Sequence, residues 1–489
     1  MQHALTVSRP TRRQFLLAGG TATAAFALTA ADWQTRLAAH AGFPSLGAPG
    51  EPAFVSRPDL RIPALTVTAA AAGLYGGLIL LAPYNGPHKA QAGAIIVDPA
   101  GNAVWEQPLE RLVTTDFRVQ RYRGAPVLTW WQGTIELGHG VGSYVIADDG
   151  YEPLARVSAG NGLRGDLHEF LLTDRGTALL TSYVVTHRDL REVGGPADGQ
   201  IEDAIFQEID VASGRVLLEW HSLDHIAVGE SYWPLTGDVW DYVHLNSIAV
   251  DHDQNLLVSS RNTHTVYKIE RSTGAIIWRL GGKQSNFALA GDADFAWQHD
   301  ARRQPDGSLT LFDNGDRVSR ALTLAVDERR RTVTLARAYT HPSNLHASSQ
   351  GNMQVLPNGN VFVGWGAQPY ISEFAADGTL LFDARLGTEY ISYRAYRMPW
   401  EGRATGVPAV AIHPAGRGHT AYVSWNGDTR VTRWVALAGI ADRALLPVAS
   451  TRRAGFETAL AVPPGARRLR VAGVDARGTR IVTSDLLAI

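Results

Sequence analysis

From about residue 70 the chain repeats one phrase: a short apolar strand, an acidic turn closing on glycine, and a second apolar strand that often carries tryptophan. It reads VDPAGNAVW at 97–105, ADDGYEPLA at 147–155, IDVASGRVLLEW at 209–220 and IERSTGAIIWRL at 269–280. It returns as AVDERRRTVTLA at 325–336 and FAADGTLLFDA at 374–384. The turn centres Gly101, Gly150, Gly214, Gly274, Arg330 and Gly378 lie 49, 64, 60, 56 and 48 residues apart, a propeller-like period. A second hairpin runs between them, with turns at Gly124, Gly176, Asn255, Gly307 and Gly359. Two hairpins per period make four strands. The expectation is an all-β fold: a six-bladed β-propeller over residues 70–405, in which residues 390–400 return beside residues 78–81 to close the ring. Insertions at 185–202 and 221–241 lengthen two periods and belong at one mouth.

Beyond residue 408 the pattern changes to alternating apolar and polar positions at 422–427, 430–437, 458–464, 469–475 and 479–486. Residues 406–489 therefore read as a small C-terminal β-sandwich of immunoglobulin or fibronectin kind. At the other end, Arg12 and Arg13 precede an apolar, Ala/Gly-rich stretch too short to cross a bilayer comfortably. Residues 1–41 read as a twin-arginine signal peptide cleaved after Ala41, followed by an extension over 42–69. That reading predicts the twin-arginine translocase as export partner and a secreted, periplasmic or cell-envelope location. No other segment is apolar enough to be an integral membrane span.

Composition narrows the chemistry. The 489 residues carry 45 Lys+Arg against 47 Asp+Glu, and no basic run marks a nucleic-acid surface. With no cysteine there is no disulfide framework, thiolate zinc site, iron–sulfur cluster or cysteine nucleophile. No GxxxxGK[ST] cradle indicates a nucleotide donor, and no cofactor is expected.

Counting eight residues back from the second-type turns reaches the start of each innermost strand: Asp116, His168, His299 and Gly351, with His244 eleven back from Asn255. Counting about seven forward reaches Trp131, Tyr183, Arg261, Asn314 and Trp365 at the same end. One mouth is thus expected to combine His168, His244 and His299 with Arg261 and several aromatics. Each has a plainer reading: histidines satisfying turn carbonyls, Arg261 paired with a carboxylate such as Asp241, aromatics that only pack. His187, His225, His252, His264, His341, His346 and His413 fit no blade register. Imidazoles beside one guanidinium, without clustered carboxylates, suit transfer of a small anionic group: imidazole as nucleophile or proton shuttle, arginine as an oxyanion fork.

The stretches WDYVHLNSIAVDHDQNLLVSSRNTHTVYKIERSTGAIIWRLGG (240–282) and FAWQHDARRQPDGSLTLFDNG (295–315) resemble the bacterial arylsulfate sulfotransferase family, and more closely its actinobacterial and fungal branch. SSQGNMQVLPNGNVFVGWG (348–366) and SYRAYR (392–397) match that branch too. The resemblance implies sulfuryl transfer from an aryl sulfate to a phenol by a ping-pong route, without an adenylyl-sulfate cofactor. It places the sulfohistidine at His299 of QHDA and supporting roles at His244 of HLNS, Arg261 of SSRN and His168 of LHEF. Asn246 of HLNS and Asn314 of FDNG join Trp131, Tyr183 and Trp365 as expected substrate contacts. The chain departs from the family in lacking a cysteine pair and in carrying its extra sandwich at the C-terminus. Two other readings stand beside this one: a metallohydrolase with His168, His244 and His299 as ligands, and a non-catalytic propeller binding an aromatic or sulfated ligand or a cell-wall partner.

Overall fold

The computed structural model describes residues 54–489 except 61, 85–92, 108, 110–111, 137 and 388–389, so the signal-peptide reading of residues 1–41 lies outside the described residues. The protein is all-β: among the described residues the only helices are three-residue 3₁₀ turns.

Residues 65–398 form six sheets, each built on a meander of four antiparallel strands, with short parallel strands at Val239–Trp240 and Ala288–Ala290 added to the third and fifth. The first holds Leu78–Tyr84, Ala94–Val97 and Ala103–Gln107, with Ile391–Met398 as its leading strand. That strand comes from the far end of the segment; Leu78 faces Met398 and Leu80 faces Tyr396. The second runs Val113–Tyr122, Ala125–Glu136, His139–Ala147, Pro153–Val157. The third runs Phe170–Leu172, Thr177–Arg188, Gly199–Asp210, Val216–His221, and the fourth Leu245–Val250, Leu256–Ser260, Thr265–Ile269, Ile276–Gly281. The fifth is led by His299–Arg303 and the sixth by Asn352–Val355. Leu65–Ala70 adds a fifth strand to the sixth sheet, against Leu380–Leu386, so sheet pairing begins before residue 70.

The turns explain why this sequence forms hairpins. In four of the six acidic phrases an aspartate at the start accepts backbone N–H groups of its own turn: Asp98 from Ala100 and Asn102, Asp148 from Gly150 and Glu152, Asp210 from Ser213, Asp327 from Arg329 and Arg330. Apolar faces then stack between sheets, with Ile79, Leu81, Ile95 and Phe362 of the first and sixth sheets in one fully buried cluster. Such burial is worth about 1.5–3 kcal/mol per large side chain, an upper bound for a real unfolded chain.

Successive sheets meet along their leading strands, and the sixth returns to the first. Side chains stitch each seam. Arg394 bonds Asp116 at 2.8 Å; Asp116 accepts Phe170 N–H at 3.2 Å; Glu169 accepts Ile248 N–H at 3.2 Å. Ser247 accepts Ala301 N–H at 3.1 Å, His299 accepts Gln350 N–H at 3.1 Å, and Asn352 makes a two-way bond with the Ala395 backbone at 2.8 and 2.9 Å. At the centre Asp116, Glu169 and Asp300 interlock with Arg118, Arg302 and Arg394, and all six are buried or nearly so.

Residues 409–488 form two further antiparallel groups: Ala409–Ala415, Gly418–Ser424 and Glu457–Val462, and a second led by Leu446–Arg452 and Arg433–Gly439. They dock on the first two sheets. Asn426 accepts the Glu106 N–H and donates to its carbonyl, and Tyr151 donates to Gly427 O at 2.6 Å while stacking on Trp105. The turn at Asp148–Tyr151 lies at the end of the second sheet opposite the start of its leading strand, so this unit sits away from the mouth where the histidines gather.

Candidate active site

The leading strands carry a local distortion where they enter the mouth. His244 has φ 54° and Asp300 φ 56°, left-handed values that cost a non-glycine residue about 1–2 kcal/mol, and the ladders slip beside both. The distortion lets neighbours face opposite ways: His299 joins the mouth while Asp300 pairs with Arg302 and Arg394 below it. His168 and Glu169 divide in the same way. Glycine makes room for the His168 segment, because a Cβ on Gly140 would meet Leu167 N at 2.5 Å.

Four imidazoles and two phenols form one cluster. The His168 ring centroid lies 4.7 Å from that of His244, 5.9 Å from His139 and 5.6 Å from Tyr393; the His299 centroid lies 6.5 Å from that of Tyr393. His139 packs 3.9 Å from Tyr183 and 5.1 Å from His244. His168 and His244 are oriented from behind by carboxylates. His168 Nδ1 donates to Asp166 at 2.6 Å, and Asp166 is locked by Gly140 N–H, Thr181 Oγ1 and His168 N–H. His244 Nδ1 donates to Asp241.

His299 is fixed in one tautomer. Asn314 spends both amide hydrogens on Ala347 O and Gln350 O, so its Oδ1 must accept, and His299 Nδ1–H donates to it at 2.7 Å. Nε2 is left with the lone pair, which receives Gln350 N–H. Burial, the Arg261 charge and the His244 and His168 imidazoles hold His299 well below the ordinary imidazole range, against its bond to Asn314. Burial also lowers His244, to about 4, despite Asp241. Both are neutral at pH 7.

Arg261 is the counterpart. It lies over Trp297 and Trp233, 4.9 and 5.2 Å from their centroids, and donates only to Asn262 Oδ1 and Ser348 O. Its Nε is buried without a partner, and burial lowers it to about 10, with Asp241 opposing. Asp241 instead holds His244 through Oδ2, with His139 Nε2 3.4 Å from the same oxygen, and forms no ion pair with Arg261. A half-buried guanidinium with no carboxylate is poised for an anion.

The structure thus brings His168, His244, His299, Arg261, Asn314 and Tyr183 to one mouth. Asn246 lies beneath it, donating to Gln298 O at 2.7 Å with its own Oδ1 unpartnered. Trp131 and Trp365 do not join: each is fully buried, with its indole N–H on Gly165 O and Ser372 Oγ respectively. The expectation of imidazoles without clustered carboxylates is corrected, since Asp166, Asp241 and Glu202 stand directly behind them. His139 was missed because it opens a third strand, a position the strand count does not sample. Ligand atoms of His139, Asp166 and His168, and of His139, Asp241 and His244, lie within 4.8 Å of one another, whereas His299 belongs to neither group.

Residues 118–387, more than half of the chain, match the family Arylsulfotransferase (ASST). The chain belongs to this family. No curated protein matches significantly. Among solved structures, similarity extends to a Bacteroides caccae protein of unknown function, at 12% identity over 66% of this chain and 98% of that one, TM-score 0.41. A Lactobacillus plantarum protein matches at 15% identity over 84% and 96%, TM-score 0.37. A hypothetical selenium-binding protein from Sulfolobus tokodaii matches at 11% over 71% and 87%, TM-score 0.39. Within this arylsulfotransferase family member, no helix among the described residues is long and apolar enough to cross a membrane.

Proposed function

We propose that the six sheets are the blades of one β-propeller followed by a C-terminal β-sandwich, and that the protein moves a sulfuryl group from an aryl sulfate to a phenol through a sulfohistidine at His299. The observation that carries this reading is the pairing of a tautomerically fixed His299, whose lone pair is on Nε2, with the uncompensated Arg261 guanidinium.

In the first half-reaction Nε2 gives up its contact with Gln350 N–H and attacks sulfur; an N–S bond forms, the S–O(aryl) bond breaks, and the electron pair leaves with the phenoxide. Arg261 holds the sulfuryl oxygens and offsets their charge. In the second, the acceptor phenol attacks sulfur, the N–S bond breaks and His299 is restored. His244, neutral with Nδ1–H on Asp241, takes the acceptor's proton on Nε2 and returns it to the leaving phenoxide of the next cycle. A proton affinity as low as about 4 makes that return favourable. Trp297 packs against Arg261 and Tyr183 against His139, so aromatic rings stand beside the groups a substrate would meet. Export through the twin-arginine route follows from Arg12 and Arg13.

The test is incubation with 4-nitrophenyl sulfate, with and without phenol. Release of nitrophenolate that depends on phenol, with phenyl sulfate formed, is expected. Slow acceptor-independent release would make the protein a sulfatase, and no release would leave only binding. Asn314→Ala removes the acceptor that fixes the His299 tautomer. It is expected to lower kcat by about 10- to 100-fold with little change in donor KM, measured in the same assay.

A further inference from the structure

We propose that His139, Asp241 and His244 form a binding site for one divalent metal ion of the zinc class, and that the ion, once bound, stops His244 from acting as a base. The binding stands by itself; its effect on turnover rests on the transfer reading.

His139 is the anomaly that points to a ligand. It opens the third strand of the second sheet, is only 7% exposed, and makes a hydrogen bond through neither ring nitrogen. A buried imidazole left so is costly and calls for a partner. Oxygen atoms stand close by: Nε2 lies 2.8 Å from Glu202 Oε2 and 3.4 Å from Asp241 Oδ2. They are near without being aligned for a hydrogen bond, which is how donors stand when they aim at a shared point rather than at one another. Four ligands at about 2.1 Å in a tetrahedron lie about 3.4 Å apart, the spacing of the His139–Asp241 pair.

Asp241 carries the other half of the argument. Its Oδ1 is buried without a partner, and its Oδ2 meets imidazoles. Among the described residues no Lys or Arg forms an ion pair with Asp241 or with Glu202, so two carboxylates enter this mouth short of positive charge. One ligand atom from each of His139, Asp241 and His244 lies within 4.8 Å of the other two, so small side-chain rotations close all three on one ion. This set shares only His244 with the three-histidine set expected from sequence. The neighbouring group of His139, Asp166 and His168 meets the distance but not the valence, because Asp166 already accepts from Gly140 N–H, His168 N–H, His168 Nδ1 and Thr181 Oγ1. Two imidazoles and a carboxylate suit zinc and leave a coordination position open, whereas magnesium takes oxygen ligands. His244 turns Nδ1 toward Asp241, so Nδ1 is the atom the ion takes. The ring keeps its single proton, which moves to Nε2. The lone pair that would accept the phenol's proton is then gone.

The experiment is a calorimetric titration of the chelator-treated protein with zinc chloride, with magnesium chloride as the contrast. About one zinc per chain is expected to bind with micromolar or tighter affinity, and magnesium should not displace it. His139→Ala and Asp241→Asn should each weaken zinc binding by at least about 10-fold, while His168→Asn keeps it. Asp241→Asn preserves the shape of the side chain and carries the test if His139→Ala does not fold. Absence of zinc binding, a preference for magnesium, or zinc binding that survives both ligand variants overturns the proposal. Loss in His168→Asn with Asp241→Asn unaffected would move the ion to the Asp166 group and overturn it too. In the 4-nitrophenyl sulfate assay, phenol-dependent release should stop as zinc fills the site and return when a chelator removes it. Release that persists on zinc-saturated protein overturns the assignment to Nδ1. A protein that binds zinc and transfers nothing would sink the sulfotransferase reading and leave the metal site standing; one that transfers and binds no zinc would do the reverse.

Discussion

His299→Asn should abolish phenol-dependent release of nitrophenolate, a loss of about 10⁴-fold or more, and should leave no labelled sulfate on the protein after exposure to a labelled donor. The size follows from the proposed chemistry: the substitution removes the atom that would form the N–S bond, not a group that assists it. Asparagine suits the test because its amide can occupy the place of Nδ1 and keep the bond to Asn314, while nothing replaces Nε2. Stability should then fall by only about 1 kcal/mol, the cost of the lost Gln350 contact. His168→Asn is the control, since His168 is oriented by Asp166 toward the same mouth but is not the proposed nucleophile; it should slow transfer while labelling persists. Labelling retained in His299→Asn and lost in His168→Asn would reverse the two roles.

Much of this architecture was legible because its determinants are local. An aspartate that captures its own turn's N–H groups is visible in sequence, and it recurs at Asp98, Asp148, Asp210 and Asp327. The return of residues 390–400 beside 78–81 was also legible, because the first period lacked a hairpin and the pattern needed a donor strand; Ile391–Met398 supplies it. His168 and His299 fell in register as each stands at the entry of a leading strand. His244 needed a longer count because it stands just before its leading strand, which opens at Leu245. What sequence did not reveal is side-chain direction. Trp131 stands level with the mouth yet turns toward the gap between sheets, where Gly133, Gly140 and Gly142 leave room for its ring. Nor did it reveal partners brought from other sheets, such as Asp166, Asp241 and Glu202. An acidic residue alone carries no periodic signal of what it will face.

Arg394→Met is expected to destabilise the protein by about 3–5 kcal/mol, read as a lower urea midpoint at pH 7.5. Arg394 is fully buried at the centre, where it bonds Asp116 at 2.8 Å, Glu169 at 3.3 Å and the Asn246 carbonyl at 2.9 Å. Three carboxylates there face three guanidinium groups; removing one leaves a buried excess of negative charge. Methionine fills the volume, so the loss reads out charge more than a cavity. The balance is already close. Burial raises Asp116 despite Arg118 and Arg394, whereas the guanidinium groups of Arg302, Arg394 and Arg118 overcome burial and hold Glu169 well below the usual carboxylate range. Without Arg394 both carboxylates move up. A group whose folded value is raised supports folding at low pH and loses that support as pH climbs through it. The deficit of Arg394→Met should therefore be smaller at pH 5 than at pH 7.5, by the share of Asp116 and Glu169 that takes up protons. The consequence reaches the site as well, since Glu169 adjoins His168, Asp300 adjoins His299 and Arg394 adjoins Tyr393. A variant that folds at pH 5 should show broadened histidine resonances at the mouth as the cluster beneath it loosens. Equal midpoints at both pH values, or no loss at pH 7.5, would mean that the ion cluster does not hold the sheets together at their centre.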